Sequence, residues 1–165
     1  MQFFDEDSAK AAVDEAVAYA AIEDVFASAA KGTARNFPVV REAIGHADAL
    51  WGFKSGIDTT SMTLGLKAGG YWPHNMDAGR TNHQSTVLLF DPDSGQLSAV
   101  VSGNYLTAMR TGAACAVAIN HLARKSAKVL GIVGAGHQST FQLRAAARQR
   151  RFDRVLVWNI DQNGV

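Results

Sequence analysis

The segment from Val129 to Trp158 restricts the possible folds of this chain more than any other part of the sequence. It opens with the β-branched run Val129–Val133, passes through the glycine turn Gly134-Ala135-Gly136, and closes with a second apolar run, Arg154–Trp158. The residues between the turn and the second run have a helical pattern as far as about Arg150. This order predicts a β-α-β unit whose two strands lie parallel in one sheet.

The turn in this unit reads Gly134-x-Gly136-x-x-Ser139, which resembles a dinucleotide-binding fingerprint. In that fingerprint the first glycine makes the tight turn, the second lets the backbone approach a pyrophosphate, and the third allows close packing of helix on strand. Ser139 replaces the third glycine with another small residue. The following helix offers free N–H groups and a positive dipole end to the pyrophosphate. We therefore expect NAD or NADP to contact Gly134, Ala135, Gly136, His137 and Gln138.

The end of the second strand bears on the choice between the two cofactors. A carboxylate about 20 residues beyond the glycines usually binds the ribose hydroxyls of NAD. Asn159 stands nearest to that position and Asp161 two residues further on, and no arginine follows at once to bind a 2′-phosphate. Both residues are candidate cofactor ligands, and NAD versus NADP stays open. The alternative is a glycine turn that only lets a helix pack on a sheet.

The amino-acid composition argues against several classes of function. The chain of 165 residues is 47% hydrophobic and 19% charged, which favours a folded domain with a core. A net charge of +1 gives no general reason to bind nucleic acid or an anionic membrane. Cys115 is the single cysteine, so no internal disulfide and no multi-thiolate zinc site can form. No apolar run approaches transmembrane length and the N-terminus lacks signal-peptide features, which predicts a soluble cytoplasmic protein.

The residues before the β-α-β unit predict a mixed α+β region. Asp7 or Ser8 is expected to cap a first helix, and an alanine-rich helix is expected from Asp14 to Ala30. Further predicted elements are strands and a helix, at Trp51–Asp58, Met62–Gly70, Ser85–Phe90, Leu97–Val101 and Leu106–Ala123. The strands Ser85–Phe90 and Leu97–Val101 should form a hairpin around the turn Pro92–Gly95.

Four segments together resemble one family. They are Leu64-Gly65-Leu66-Lys67, the run from Asn82 to Pro92, the helix opening Leu106–Ala114 and the turn Gly134–Gln138. Their order and spacing are similar to those of the ornithine cyclodeaminase/mu-crystallin family, which also holds cyclic-imine (ketimine) reductases and some alanine dehydrogenases. The chain departs from the usual pattern at Asn82, where relatives often carry Ser or Thr, and at Gly112, where Ala is usual.

The resemblance implies an α/β fold. Residues 1–122 would form an α+β substrate and dimerisation domain, and residues 123–165 would begin an NAD(P)-binding Rossmann domain, in a homodimer. Family members run to about twice this length, so the resemblance also implies that the 165 residues stop inside the Rossmann domain. A catalytic acid/base would then lie beyond Val165, and the isolated chain would have little activity.

The resemblance also assigns roles to residues of the first region. Arg110 would bind the substrate carboxylate, for which a planar, bidentate guanidinium is the best partner, and Arg35 is a second candidate. The small and apolar neighbours of Arg110 argue against an exposed arginine at this position. Lys67 would contact the carboxylate or the imine, and burial would let it donate a proton. Asn82, His83 and Gln84 would line this site, and Thr111 would contact the cofactor phosphate.

Three functions fit these residues. The first is reduction of a cyclic imino acid, Δ1-pyrroline-2-carboxylate, to proline by NAD(P)H. The second is cyclodeamination of L-ornithine to L-proline and ammonia. The third is a non-catalytic protein that binds NAD(P)H and a small ligand, as mu-crystallin does. A metal site at His74, Asp77 and His83 is not expected because the spacing is irregular, and Cys115 is interpreted as a small core residue.

Overall fold

A computed structural model describes residues 1–160 of the chain. The chain divides into two units, one formed by Met1–Ala12 with Asp24–Thr107 and the other by Val13–Glu23 with the residues from Ala108 onward. The division passes through two long helices, whereas the sequence places a domain boundary after residue 122. That boundary stays a prediction. None of the helices among the described residues is long and apolar enough to cross a membrane.

The two N-terminal helices are α1, Glu6–Ala12, and α2, Glu15–Ala30. Asp5 caps α1 by accepting the Ser8 N–H at 2.8 Å, so the expected cap at Asp7 or Ser8 is wrong. Asp7 lies inside the first turn, where its carboxylate pairs with Lys10 instead. Asp14 caps α2 by accepting the N–H groups of Ala16 and Val17.

Seven strands form one sheet in the first unit. They are β1 Gln2–Phe4, β2 Ala34–Asn36, β3 Val40–Ala43, β4 Leu50–Asp58, β5 Thr63–Tyr71, β6 His83–Phe90 and β7 Leu97–Ser102. The sheet order is β1-β7-β6-β5-β4-β2, and β3 pairs with β4 beside β2. All pairs are antiparallel except β1 with β7. β4 to β7 agree with the predicted strands within two residues at each end.

The predicted hairpin between β6 and β7 is confirmed. Gly95 has φ +72°, a conformation that glycine adopts without cost. The Asp91 carboxylate accepts the N–H groups of Asp93 and Ser94, and these bonds lower the pKa of Asp91. A short 3₁₀ turn, Asn75–Ala78, precedes β6.

Strand register separates the residues of this sheet onto two faces. Lys54 of β4, Lys67 of β5 and Val87 of β6 are register partners and share one face, which we call the lysine face. Leu66 and Phe53 lie on the opposite face, which we call the aromatic face. Its exposed members are Phe3, Val40 and Trp51.

The second unit contains the β-α-β segment. Helix α3, Asn104–Leu122, is followed by β8, Val129–Val133, α4, His137–Gln149, and β9, Arg154–Trp158. β8 and β9 pair in parallel from Val129↔Arg154 to Val133↔Trp158, which confirms the predicted β-α-β unit.

Helices α3 and α4 approach closely because small residues meet between them. Ala113 and Ala116 of α3 and Ala145 and Ala146 of α4 are buried. A side chain at Gly112 would bring a Cβ atom within 2.9 Å of the Phe141 carbonyl oxygen. This contact gives a local reason for glycine rather than alanine at this position.

Arg150 has a structural role that its sequence context does not predict. The cluster Arg148, Arg150 and Arg151 has the pattern of a solvated helix end, but Arg150 is half-buried. Its guanidinium donates to the carbonyl oxygens of Ile119, Asn120 and Ala123 at 3.1–3.3 Å. These carbonyls lie at the C-terminal end of α3, where the helix dipole favours a cation.

We predict that Gly52→Ala destabilises the protein by about 1–3 kcal/mol. The new Cβ would lie 2.0 Å from the Val40 carbonyl oxygen on β3, so β3 and β4 would have to separate. Chemical denaturation would measure the change. Gly131→Ala is the matched control, because a Cβ there meets no atom within 4 Å. Equal stability of the two variants would contradict the prediction.

Candidate functional site

A cluster of polar side chains lies on the lysine face of the first unit. The Lys67 ammonium donates to Thr107 Oγ1 at 3.3 Å and lies 3.4 Å from His83 Nε2. Ser85 Oγ lies 3.2 Å from the same Thr107 oxygen. Lys67, His83 and Ser85 are half-buried and Thr107 is buried. A lysine withdrawn from solvent is usually paired with polar groups, as Lys67 is with His83 and Thr107.

Three elements of the first unit bring these side chains together. Lys67 lies at the centre of β5, and His83 and Ser85 alternate along the adjacent β6, so all three lie on one face. Thr107 lies in the first turn of α3. That turn is fixed to β6 because Asn104 Oδ1 accepts the Ser85 N–H at 2.8 Å and the Gly103 N–H donates to the Ser85 carbonyl at 2.9 Å.

Glu6 holds the same turn from the other side. Its carboxylate accepts the Ser102 hydroxyl at 2.6 Å and the backbone N–H of Tyr105. A carboxylate bonded to N–H groups in the first turn of a helix stabilises that end of the helix. The position of Thr107 is therefore set by bonds from both α1 and β6.

A cavity of about 590 Å³ opens beside Lys67, between the lysine face and α2. Its apolar wall includes Val25, Phe26 and Ala29 of α2 with Val87 and Leu89 of β6. Its charged lining residues are Arg35, Lys54, Asp58 and Lys67. The cavity thus combines apolar walls with a net positive lining, which suits a small anionic ligand.

Two of the charged lining residues have partners of their own. The Arg35 guanidinium lies over the Phe37 ring, 5.2 Å from its centroid, and the side chain is exposed. Asp58 Oδ1 accepts the Thr60 N–H at 2.8 Å, and this hydrogen bond holds the pKa of the Asp58 carboxyl below its usual value. Asp58 stays ionised at neutral pH, yet its carboxylate is engaged by its own turn.

Asn82, in the loop before β6, and Gln84, on β6, both form side-chain hydrogen bonds with nearby residues. Asn82 Oδ1 accepts the Met76 N–H and Asn82 Nδ2 donates to the Tyr71 hydroxyl. Gln84 Oε1 accepts from Asn104 Nδ2, and Gln84 Nε2 donates to Thr81. These bonds hold the loop before β6 against its neighbours, and substrate contact by Asn82 stays a prediction.

Arg110 is exposed, so the expectation drawn from its apolar neighbours is wrong. Ala108, Met109 and Ala113 are buried, but residues adjacent along a helix point in different directions. The guanidinium therefore projects from another side of α3 and keeps its hydration. The exposure of Arg110 does not test its predicted role in binding the substrate carboxylate. Thr111, on the next residue of α3, accepts the Gln142 Nε2–H at its carbonyl oxygen, at 3.3 Å.

The glycine turn of the second unit has the predicted geometry. Gly134 has φ +97°, and its N–H donates to the Trp158 carbonyl at 2.7 Å, which closes the turn on β9. The Ala135 N–H donates to Asn159 Oδ1 at 3.2 Å, so the residue at the end of β9 does lie beside the turn. Asp161 lies outside the described residues.

The start of α4 has unused hydrogen-bonding groups. Among the described residues no hydrogen bond engages the N–H groups of Gly136, His137 and Gln138, whereas the Ser139 N–H bonds to the Gly136 carbonyl. Gln138 Oε1 is buried with no partner within residues 1–160. Ser139 Oγ donates back to the Gly136 carbonyl at 2.7 Å and keeps the turn tight. The free N–H donors at the start of this helix fit a phosphate-bearing ligand.

The described residues form neither a metal site at His74, Asp77 and His83 nor a reactive site at Cys115. His74 lies near Asp48 and Asp77, at 3.9 and 3.8 Å, whereas His83 contacts Lys67. No group of three or more metal-ligating side chains occurs within residues 1–160. Cys115 is half-buried in α3, and burial raises the pKa of its thiol, as for a packing residue rather than a nucleophile.

Thr107 and Ser85 are the site members that sequence reasoning did not select. Both belong to segments already quoted for the family resemblance. Thr107 comes three residues before Arg110, and Ser85 two residues after His83 on the same strand face. Strand alternation places Ser85 with His83, but the contact with Thr107 depends on where α3 begins relative to the sheet.

The chain matches the family model of the ornithine cyclodeaminase/mu-crystallin family over residues 7–165. It is 65% identical over 142 residues to the iminosuccinate reductase of Paracoccus denitrificans, covering 86% of this chain and 44% of that protein. The crystal structure of that reductase in complex with NAD+ superposes with a TM-score of 0.92 and 57% identity, covering 99% of this chain and 51% of that chain.

Two further solved structures are similar. The Δ1-pyrroline-2-carboxylate reductase of Thermococcus litoralis, in complex with NADH and L-proline, has a TM-score of 0.92 at 28% identity, over 99% of this chain and 51% of that chain. An archaeal alanine dehydrogenase dimer with bound NAD has a TM-score of 0.90 at 27% identity, over 98% of this chain and 49% of that chain.

The fold of both units and the glycine turn thus define an α/β chain with a Rossmann-type β-α-β unit. The chain belongs to the ornithine cyclodeaminase/mu-crystallin family. It spans about half the length of these solved relatives and 44% of the length of the curated Paracoccus reductase.

We predict that Gly134→Ala lowers the affinity for NADH roughly tenfold, because an alanine at positive φ costs about 1–3 kcal/mol and would distort the turn. Calorimetric titration of the protein, expressed from its complete gene, would measure the change. Gly95→Ala is the matched control, since it places the same strain in the β6–β7 hairpin. Equal affinity of the two variants would contradict the role of the turn.

Proposed function

We propose that the protein is an NAD(P)-dependent reductase that converts the C=N bond of a small imino acid to an amine. The observation that carries this proposal is the half-buried Lys67 ammonium, which contacts Thr107 and His83 and also lines a cavity whose charged residues are mainly positive. A cation beside polar groups and apolar walls suits the carboxylate and the imine nitrogen of such a substrate. The relatives named as imino-acid reductases support the same reaction class.

The cofactor proposal rests on the glycine turn. The N–H groups of Gly136, His137 and Gln138 would hold the pyrophosphate, and Asn159 would stand at the ribose beyond Ala135. Thr111 and Asp161 remain proposed contacts. NAD(P)H, when bound, supplies the hydride that is added to the imine carbon. Relatives crystallised with NAD+, NADH or NAD support this assignment.

Lys67 has two possible contacts in this reaction. Its ammonium binds the substrate carboxylate, or it donates a proton to the imine nitrogen as the carbon accepts the hydride. The hydride and one proton together convert C=N to CH–NH. Thr107 and His83 orient the ammonium in either case, because both lie within 3.4 Å of Nζ. Arg110 and Arg35 are proposed as additional carboxylate ligands.

Iminosuccinate is the substrate we favour. The sequence alone suggested Δ1-pyrroline-2-carboxylate, the substrate named for the Thermococcus relative at 28% identity. The higher similarity to the Paracoccus reductase, 65% over most of this chain, instead favours the open-chain dicarboxylic imine. Cyclic imino-acid reduction remains the second candidate because the same residues would bind its carboxylate.

One assay tests this function. The protein expressed from its complete gene is given NADH or NADPH with oxaloacetate and ammonia, which form iminosuccinate in solution, and absorbance at 340 nm is followed. Δ1-pyrroline-2-carboxylate is assayed in parallel, and L-ornithine with NAD+ is tested for ammonia release. We expect NAD(P)H oxidation with the dicarboxylic imine. Binding of NAD(P)H without turnover of any imine would contradict the proposal and favour a ligand-binding protein.

We predict that Arg110→Ala lowers kcat/KM for the imino acid by roughly 10²–10³-fold, because it removes one partner of a charge pair that closes on substrate binding. NADH affinity should change far less. Steady-state kinetics and calorimetry measure the two quantities. Arg124→Ala, another exposed arginine, is the control. An unchanged KM and kcat in Arg110→Ala would remove Arg110 from the site.

We also propose that the protein forms a homodimer through the aromatic face. Trp51 and Phe53 contact each other edge to face at 6.3 Å, and Phe3 and Trp51 are 73% and 42% exposed. Exposed aromatic side chains on a sheet face are typical of an interface. The archaeal alanine dehydrogenase relative, solved as a dimer, supports a second copy of the chain as the partner.

We predict that Trp51→Arg converts this dimer to a monomer in light scattering, since a buried, unpaired guanidinium opposes association. Met62→Arg is the control, because Met62 is an exposed apolar residue in the turn between β4 and β5 rather than on the sheet face. A monomeric native protein, or a dimeric Trp51→Arg variant, would show that this face is not the interface.

A further inference from the structure

The lysine face carries a second cation that the site described above does not use. Lys54 of β4 is the direct register partner of Lys67 of β5, so the two lysines stand opposite each other across one antiparallel pair. Directly opposite side chains have Cβ atoms about 5 Å apart. Both lysines line the cavity beside α2. The cavity is thus lined by two neighbouring cations on adjacent strands.

This pair is unfavourable for the sheet itself. Like charges directly opposite each other on one face are destabilising. Lys54 is exposed, and no carboxylate among residues 1–160 forms an ion pair with it. Asp58 is the acidic residue among the described residues of the cavity lining, and its carboxylate bonds to the Thr60 N–H. The described residues therefore offer little negative charge to offset the positive charge of Lys54.

A ligand with two carboxylates would supply a negative charge to pair with Lys54. One carboxylate would bind at Lys67, and the second would lie where the neighbouring strand presents Lys54. A four-carbon imino dicarboxylate has its carboxylates at the two ends of a short chain, which suits cations on adjacent strands. A cyclic or monocarboxylic imine has only carbon and hydrogen at the distal end, so it would leave Lys54 unpaired.

We propose that Lys54 determines specificity by binding the distal carboxylate of a dicarboxylic imino acid whose first carboxylate is held at the Lys67 cluster. This inference rests on the proposed imino-acid reductase function and adds the structural basis of substrate choice. Lys54 takes no part in hydride or proton transfer. Its loss changes recognition of the distal group and leaves the reacting atoms in place.

The test compares two substrates in the protein expressed from its complete gene. Iminosuccinate is formed from oxaloacetate and ammonia, and the monocarboxylic imine from pyruvate and ammonia. We expect Lys54→Met to lower kcat/KM for iminosuccinate about 10- to 100-fold, the range for a hydrogen bond to a charged group. The monocarboxylic imine should be reduced equally well or better. Lys54→Arg should restore most of the activity, and Lys31→Met, an exposed lysine outside the cavity lining, should change neither substrate.

A binding measurement gives a second readout. With NAD+ present, calorimetric titration should show that Lys54→Met weakens L-aspartate binding and leaves L-alanine binding unchanged. Equal loss for both amino acids, or for both imines, would make Lys54 a structural residue and overturn the inference. No change for the dicarboxylate would overturn it too, while the reductase function would stand. A native protein that reduces neither imine would reject the proposed function, and the inference with it.

Discussion

The position of the first turn of α3 is the constraint on which the candidate site depends. Ser85 and Asn104 join this turn to β6 through backbone and side-chain hydrogen bonds, and Glu6 joins it to α1. Thr107 is thereby placed within reach of Lys67.

The sheet is held together by the pairing of its strands rather than by large buried side chains. No described side chain of large volume is fully buried, and most of the buried core residues are alanines. Small residues let backbones approach closely, as at Gly52 in the sheet and Gly112 between α3 and α4. Phe3, Val40 and Trp51 of the aromatic face are exposed, and a second copy of the chain is the partner that we propose for them. The opposite face keeps its space for the cavity and for its lysines.

Sequence reasoning predicted the β-α-β unit well because glycine turns and β-branched runs are strong local patterns. β8 and β9 have the predicted bounds. β1, β2 and β3 were missed because three or four residues are too few to show an alternation, and their pairing depends on distant partners. Lys67 and His83 were selected through the family resemblance, and the structure brings them together. The exposure of Arg110 and the contacts of Thr107 depend on helix orientation, which neighbouring residue types do not reveal.

We propose that the Lys67 cluster binds the carboxylate of an imino-acid substrate. A crystal structure of the protein with NAD+ and L-aspartate, the amine that reduction of iminosuccinate would produce, tests it most directly. We expect a ligand carboxylate oxygen at about 2.7–3.2 Å from Lys67 Nζ. An amino acid bound elsewhere, with no ligand atom near Lys67 and its bond to Thr107 unchanged, would contradict the account.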